Sequence, residues 1–517
     1  MTSVPSVPSV LGIDVGTTNV KVALVRADGT VAGTATRPLT TIHDGDAVTQ
    51  DPVALFDAVV TAVGEVCAAH RGDAGAVTSV GVCSQYSSIV PVDAAGYPVA
   101  DMLLYLDRRG TELCWEIITG NDDAFGLWVE RHGIPPVGGG LSLGHMLWFQ
   151  HQRPDIHAAA TAYLEPMDYV VARLTGRICA TQGTMFTSQL CDNRTLGTTT
   201  YDPELVAMSG VDPDRLPELV AGDAVVGEVL GSLAEVWGIP ASATVAAAMN
   251  DSHAGAFATG AYRGGAGGLM VGTTAVLLDN LDHTAADLHH EIVAMPSSVA
   301  DTWLVWAENG LAGRAVDHVL GGLVHTSDVL GQHTTANPFA TLDAALAAVP
   351  AGSDGVLFLP WLAGSMAPAA SSGMRGGFIN LTLNTGRTHL VRAAIEGTAL
   401  NAGWLLPAVE ALTGRTMASV VLGGGAARSP GWAQVFADVL NRPVRPLVDP
   451  HTAVARAVAL AALMGPAAAA DDVDDVIVRT SGIHHPDPAH RATYDAAQRR
   501  FVAAFEALRP LAEELGT

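Results

Sequence analysis

Residues 12–25, GIDVGTTNVKVALV, and residues 268–279, GLMVGTTAVLLD, share one plan: an apolar strand, a Gly-Thr-Thr turn and a returning apolar strand. Thr and Val favour strands, and Gly-Thr-Thr suits a tight turn. Such a turn exposes consecutive backbone N–H groups and two hydroxyls, a cradle for phosphate oxygens. Two copies at a domain-sized separation read as two related halves clamping one polyphosphate, or as two ordinary β-hairpins. The first copy carries Asp14 where the second has Met270. A single acid before a phosphate turn fits a ligand to Mg²⁺, direct or through water, or a carboxylate that stabilises the turn. Lys21, the only lysine in the chain, lies on the first returning strand. It reads as a phosphate neutraliser or as a solvated strand residue.

A chain of 517 residues predicts two large domains. Hydrophobic content of 49% with 15% charged residues describes a buried globular interior. A formal charge of −25 argues against nucleic acid and against an anionic membrane surface as partners. A nucleotide needs only a local site and stays compatible. The five cysteines, Cys67, Cys83, Cys114, Cys179 and Cys191, form no CxxC pair. They predict neither a disulfide framework nor a zinc site, and a reducing, cytoplasmic setting. The opening MTSVPSVPSV has no basic or apolar signal-peptide region and reads as a disordered leader over 1–10. No apolar run is read as reaching the roughly 18–20 residues that span a bilayer. The most tempting stretch, AVARAVALAALM from Ala453, is short and interrupted by Arg456.

Strand and helix patterns alternate along the chain, which predicts an α/β protein. Helices are expected over 51–70 and over 388–412. Another follows Ser429 as N-cap with Pro430 in the first turn. Residues 110–210 read as insertions whose order the pattern does not give. The segment LGGGAARS, Leu422–Ser429, follows a buried strand. Gly423, Gly424 and Gly425 would let the backbone approach a flat ring or a phosphate, or simply turn the chain. No dinucleotide fingerprint and no GxxxxGK[ST] occurs, so a nucleotide enzyme here is neither Rossmann nor P-loop in type. In AAAMNDSHAGAFATGA, Ala246–Ala261, a run of small residues presents one acid, Asp251. A lone carboxylate at a cleft can take the proton from an attacking hydroxyl in phosphoryl transfer. It could equally cap a helix. The domain junction is placed within 253–262, giving domains over 11–257 and 258–517.

In this order, GIDVGTTNVKVAL, NDSHAGAFATGA, GLMVGTTAVLL and VLGGGAARSPGW resemble the FGGY carbohydrate kinases of the actin-like ATPase superfamily. Gly376–Gly397, GGFINLTLNTGRTHLVRAAIEG, is similar to that family's C-terminal signature. His389, Leu390, Ala393 and Glu396 fall where it expects them, whereas Asn380 replaces a usual glycine. The resemblance runs from about residue 10 to 510. It implies two ribonuclease-H-like α/β domains with an interdomain active-site cleft, and ATP and Mg²⁺ as cofactors. It assigns Asp251 as catalytic base and Asp14 to the metal. Gly16, Thr17 and Thr18 match the first phosphate turn, and Gly272, Thr273 and Thr274 the second. Gly424 and Gly425 match the loop against adenosine. A homodimer is compatible with the family's habits.

The same resemblance implies a small sugar as partner and reaches the substrate less directly. In CSQYSSIVPVD, Cys83–Asp93, Tyr86 and Ser87 follow Gln85. Glycerol kinases carry Arg-Glu there and many xylulokinases Met-His. In YLDRRG, Tyr105 replaces the Trp of a W-x-D-x-R pattern, with Asp107 and Arg109 retained. Asp107 reads as a sugar ligand or as the partner of Arg109 in an intraloop salt bridge. Ser252 stands where xylulokinases often have Asn or Gln, and Ser365-Met366 where relatives often show Glu-Arg. The expectation is phosphorylation of a primary hydroxyl of a ketopentose such as D-xylulose. Alternatives are L-xylulose, ribulose, erythritol or glycerol, a non-kinase actin-like ATPase, or a non-catalytic sugar-binding regulator. The pairs His289-His290 and His484-His485 read as surface histidines.

Overall fold

The structure, a computed structural model, describes residues 7–297, 301–328, 331–332, 337–465 and 474–515. In the first half, β1 (Ser9–Val15), β2 (Asn19–Arg26) and β3 (Val31–Pro38) form an antiparallel meander. Helix α1 (Pro52–Ala69) leads to β4 (Val77–Ser84), which lies parallel to β1. β5 (Val225–Glu228) and β6 (Thr244–Ala246) extend the sheet to the order β5-β6-β4-β1-β2-β3, and β7 (Met249–Asn250) also pairs with β4. Helix α2 (Asp251–Thr259) follows directly.

The second half repeats this plan. β8 (Ala266–Val271) and β9 (Thr274–Leu281) are antiparallel. β10 (Ala286–Asp287), β11 (Ile292–Pro296) and β12 (Trp303–Leu311) continue the antiparallel side. After the long helix α3 (Arg387–Thr413), β13 (Ser419–Gly424) enters parallel to β8. Helix α4 (Pro430–Leu440), β14 (Val444–Pro446) and helix α5 (Ala453–Met464) complete a sheet of order β10-β11-β12-β9-β8-β13-β14. The meander β8-β9-β12 with parallel β13 reproduces the meander β1-β2-β3 with parallel β4. The repeated Gly-Thr-Thr stretch is therefore the equivalent hairpin of two equivalent sheets.

Between the sheets lie two helices of small residues. Alternation along β1 sends Leu11, Ile13 and Val15 toward α1, and Val10, Gly12 and Asp14 to the opposite face. On that face α5 crosses at Gly12 and Gly81. A Cβ on Gly12 would stand 1.8 Å from the Ala455 carbonyl oxygen, and one on Gly81 2.3 Å from that of Val458. Helix α2 rests on the second sheet, where a Cβ on Gly268 would meet Thr259 Oγ1 at 2.3 Å and one on Gly255 would meet Met270 at 3.3 Å. Met270, the counterpart of Asp14, is therefore apolar because α2 covers it.

One expectation needs correction. The leader does not extend to residue 10: β1 starts at Ser9 and Val10 is fully buried. Residues 1–6 of that leader lie outside the described residues. The expected junction at 257/258 lies within α2, and after this helix the chain turns at Gly264 and Gly265, with φ of 74° and 84°. α1 is an 18-residue helix with mean hydropathy 1.6, long and apolar enough to span a bilayer. Its Leu55, Phe56, Val59, Val63 and Val66 pack into the core of the first sheet. α5, read as a tempting apolar stretch, is the packed interface helix just described. The helices expected over 388–412 and after Ser429 are present, and Ser429 Oγ accepts the Trp432 N–H at 3.1 Å. All five cysteines are free and buried.

Candidate active site

Each Gly-Thr-Thr stretch forms the turn of its hairpin. In the first, Val15 pairs with Val20, and the Gly16 N–H donates to the Asn19 carbonyl at 3.0 Å. In the second, Val271 pairs with Ala275, and the Gly272 N–H donates to the Thr274 carbonyl at 2.9 Å. The second turn is thus tighter by one residue, so Thr18 and Thr274 are not equivalent. Thr18 is exposed, and its Oγ1 accepts from Asn19 Nδ2 at 3.0 Å. Thr17 is braced by Gln50 Nε2, which donates to its carbonyl at 2.6 Å. The Gly272 and Thr273 carbonyls accept from Gly313 and Ala312, each at 3.0 Å. At the third glycine loop Gly424 has φ 74°, and a Cβ there would stand 2.3 Å from the Val271 carbonyl oxygen. Only glycine fits that position, and it leaves the neighbouring Gly425 exposed.

Asp14 stands opposite Lys21 on β2 and Cys83 on β4. Its Oδ2 accepts from Lys21 Nζ at 3.3 Å and its Oδ1 from Cys83 Sγ at 4.0 Å. Lys21 is thus a partner of Asp14, neither a free phosphate ligand nor a solvated strand residue. A single carboxylate suits a hard cation that keeps most of its water and takes further oxygens from phosphates. Among the described residues no group of three or more His, Cys, Asp or Glu side chains could hold a metal by itself.

Asp251 occupies the first turn of α2, while Asn250 supplies the cap by accepting the His253 N–H at 2.8 Å. The capping reading of Asp251 therefore gives way to Asn250. Burial, then the charges of Asp14 and Glu308, push the Asp251 carboxyl up to about 7, against the lowering effects of the Ser252 N–H and of Lys21. A carboxyl held there can accept a proton near neutral pH.

The substrate loop is positioned from behind by a carboxylate that sequence reasoning missed. Glu165 Oε2 accepts the Ser88 N–H at 3.0 Å, Oε1 accepts the Thr187 hydroxyl at 3.2 Å, and Ser142 also donates to it. Ser88 Oγ in turn donates to Gln85 Oε1 at 2.9 Å, and Ser87 takes the left-handed conformation at φ 60°. Burial first, then the charges of Asp251 and Glu308, push the Tyr86 hydroxyl up. Asp107 is fully buried, and its oxygens accept Val48 N–H at 3.0 Å, Arg109 N–H at 3.1 Å and Arg109 Nη2 at 2.7 Å. The Asp107 carboxylate thus forms the intraloop salt bridge and does not face a sugar, with the Arg109 guanidinium 4.0 Å over the Trp148 ring. Glu308 on β12 is the second missed residue. Its only sequence signal is a single acid inside the otherwise apolar strand WLVWAENGL. Burial and the nearby Glu291 lift its carboxyl above the usual range, opposed by the Thr274 bond.

Two duplicated sheets, a phosphate-type hairpin on each, and a near-neutral carboxyl between them define a phosphotransferase cleft of the actin-like ATPase kind. The family comparison agrees. The model for the N-terminal domain of the FGGY family of carbohydrate kinases matches residues 9–258, and that for its C-terminal domain matches residues 267–465. The chain belongs to the FGGY family of carbohydrate kinases, nucleotide-using phosphotransferases with an alcohol as acceptor. It is 25% identical to the xylulose kinase of Staphylococcus epidermidis over 514 residues, 98% of each chain. It is 24% identical to the gluconokinase of Bacillus licheniformis over 440 residues, 84% of this chain and 83% of that one. A crystal structure titled a xyloylose kinase, from Brucella ovis, superimposes with a TM-score of 0.84 at 25% identity, covering 97% of this chain and 100% of that one.

Proposed function

We propose that the chain transfers the γ-phosphoryl group of ATP to a primary hydroxyl of a small ketose, a ketopentose such as D-xylulose, with Asp251 as general base. The observation that carries this reading is the half-buried Asp251 carboxyl in the first turn of α2, under the charges of Asp14 and Lys21 and held at about 7. Asp251 takes the proton from the substrate hydroxyl as its oxygen bonds to the γ-phosphorus and the bond to the β-phosphate oxygen breaks, releasing ADP. Gly16, Thr17 and Thr18 on one side, and Gly272 and Thr273 on the other, face the phosphates. Gly424 and Gly425 admit the adenosine. Mg²⁺ held at Asp14 would neutralise phosphate charge. Gln85, Tyr86, Ser87 and Ser252 shape the sugar side, and closure of the halves would exclude water. Tyr86-Ser87 and Ser252, in place of Met-His and of Asn or Gln, favour a second reading in which another ketose or polyol (L-xylulose, ribulose, erythritol) replaces D-xylulose.

The test is ADP release with Mg·ATP across D- and L-xylulose, D- and L-ribulose, glycerol, erythritol, xylitol, D-arabinitol and gluconate. Turnover should require one sugar and fall by about 10²–10⁴-fold in Asp251→Asn, the span general bases contribute. Equal rates in the two proteins would remove Asp251 from the reaction.

A further inference from the structure

The parallel register of the first sheet fixes what stands beside Asp251. On β4, Ser84 pairs with Val15 of β1 on one side and with Asn250 of β7 on the other. One residue further along each strand come Gly16, Gln85 and Asp251, at the C-terminal edge of the sheet, with Gln85 in the middle. The Gln85 N–H continues the ladder by donating to the Val15 carbonyl at 2.9 Å, and its own carbonyl accepts from Ser84 Oγ at 2.6 Å. Alternation along β4 gives Gln85 the face of Gly81 and Cys83, and Cys83 stands opposite Asp14.

The Gln85 backbone is thus fixed, and Ser88 decides the polarity of its amide. Ser88 is fully buried. Its N–H donates to Glu165 Oε2 at 3.0 Å, and its Oγ accepts the Tyr105 N–H at 3.2 Å. The Ser88 hydroxyl proton then goes to Gln85 Oε1 at 2.9 Å, its only acceptor among the described residues. Turning the amide round would leave that buried proton unpaired, which is costly. Gln85 Nε2 is therefore the free end of the amide, and it donates to no atom among the described residues. An amide NH2 donates and does not accept, so the substrate atom that meets it must accept. A ketone oxygen only accepts. A hydroxyl must turn its proton away to do so, and that proton then needs a partner elsewhere.

We propose that Ser88, held by Glu165, locks the Gln85 amide with its NH2 toward the sugar, and that this donor selects the carbonyl oxygen of a ketose over the hydroxyl of the matching polyol. Ser88 and Glu165 are positioning residues, and Gln85 is the specificity-determining one. This rests on the kinase reading above and narrows its substrate class to ketoses.

The experiment compares kcat/KM for the ketose that wild type phosphorylates with kcat/KM for the polyols formed by reducing its carbonyl. For D-xylulose these are xylitol and D-arabinitol. The KM for Mg·ATP is taken alongside. Wild type should prefer the ketose by at least about 30-fold, since a site built to hydrogen-bond one group discriminates strongly against its replacement. Gln85→Glu still accepts from Ser88 but turns an acceptor toward the sugar, and the preference should vanish or invert. Ser88→Ala lets the amide turn, and the preference should fall about tenfold. In both variants the KM for Mg·ATP should stay within about twofold of wild type. A smaller preference in wild type, or turnover confined to polyols, would overturn this proposal and leave the kinase reading standing. So would an unchanged preference in Gln85→Glu. Parallel losses on ketose and polyol in Ser88→Ala would also overturn it, since they mark a residue that only holds the loop in shape. No turnover of any ketose or polyol would overturn the kinase reading with it.

Discussion

A carboxyl serves as a base only in its ionised form, so the surroundings of Asp251 set the pH at which the reaction runs. Its folded value of about 7 lies above the ordinary 3.8, through burial first and the neighbouring carboxylates second. The base form is therefore populated above about pH 7 and lost below it. The rate with sugar should fall roughly tenfold for each pH unit below that point. Lys21 acts in the opposite direction to burial, and Lys21→Met should move the acidic limb to higher pH. Profiles of kcat/KM between pH 5 and 9 check both statements. A limb near pH 4 in wild type would show that the surroundings do not raise the Asp251 carboxyl. Gly424 makes a second prediction at this scale. With φ 74° and a carbonyl oxygen 2.3 Å from any Cβ, Gly424→Ala must displace the loop beside the nucleotide. We expect the KM for ATP to rise about tenfold or more while the sugar KM changes little, a split that steady-state kinetics resolves.

At the scale of elements, the alanine-rich helix α5 is a tight joint. It lies so close to β1 and β4 that Gly12 and Gly81 cannot carry a side chain without meeting its backbone. Gly12→Ala and Gly81→Ala should each destabilise by about 3 kcal/mol or more, because a backbone carbonyl cannot step aside as a flexible side chain can. Denaturant unfolding measures this, and a loss under about 1 kcal/mol at both sites would mean that α5 shifts freely on the sheet. This joint also explains what the sequence discloses and what it hides. The hairpins, α3 and α4 are legible because period-2 and period-3.6 patterns, Ser429 and Pro430 are local signals. The small residues of α5 carry no such pattern, so its place between the sheets stays hidden until the glycines opposite it are known. α1 misleads in another way: an apolar helix buried against a sheet has the hydropathy of a membrane span. Asp107 is ambiguous because a retained acid does not tell which way its carboxylate faces. Glu308 is silent because a lone acid in a strand does not tell what its side chain faces.

For the whole molecule, the buried ionisable groups set opposing slopes of stability with pH. His132, His145 and His253 are buried and each falls from 6.5 to about 4, burial being the first cause. His132 and His145 hydrogen-bond the carbonyls of Phe186 and Asp107, and His253 joins Asn250 of the first half to the Pro296 carbonyl of the second at 2.9 Å. A depressed histidine stays neutral in the fold while the unfolded chain binds a proton. Its contribution is whole above 6.5 and is lost as pH falls toward 4, by up to about 3 kcal/mol for each group. Glu165 runs the other way. Burial raises its carboxyl from 4.5 to about 8, so stability is whole below 4.5 and is lost as pH rises through 8. Between 4.5 and 6.5 these three histidines gain with rising pH, while Glu165, Asp251 and the buried Asp168, all raised, lose. Above 6.5 the histidines' gain is complete and only the carboxyls' loss remains, so the melting temperature should fall as pH rises from 6.5 to 8. Against wild type, His145→Gln should lose less stability between pH 6.5 and 4, and Glu165→Gln less between 6.5 and 8, each read by thermal unfolding from pH 4 to 9. A His145→Gln profile parallel to that of wild type from pH 6.5 to 4 would show that this histidine is protonated in the folded chain.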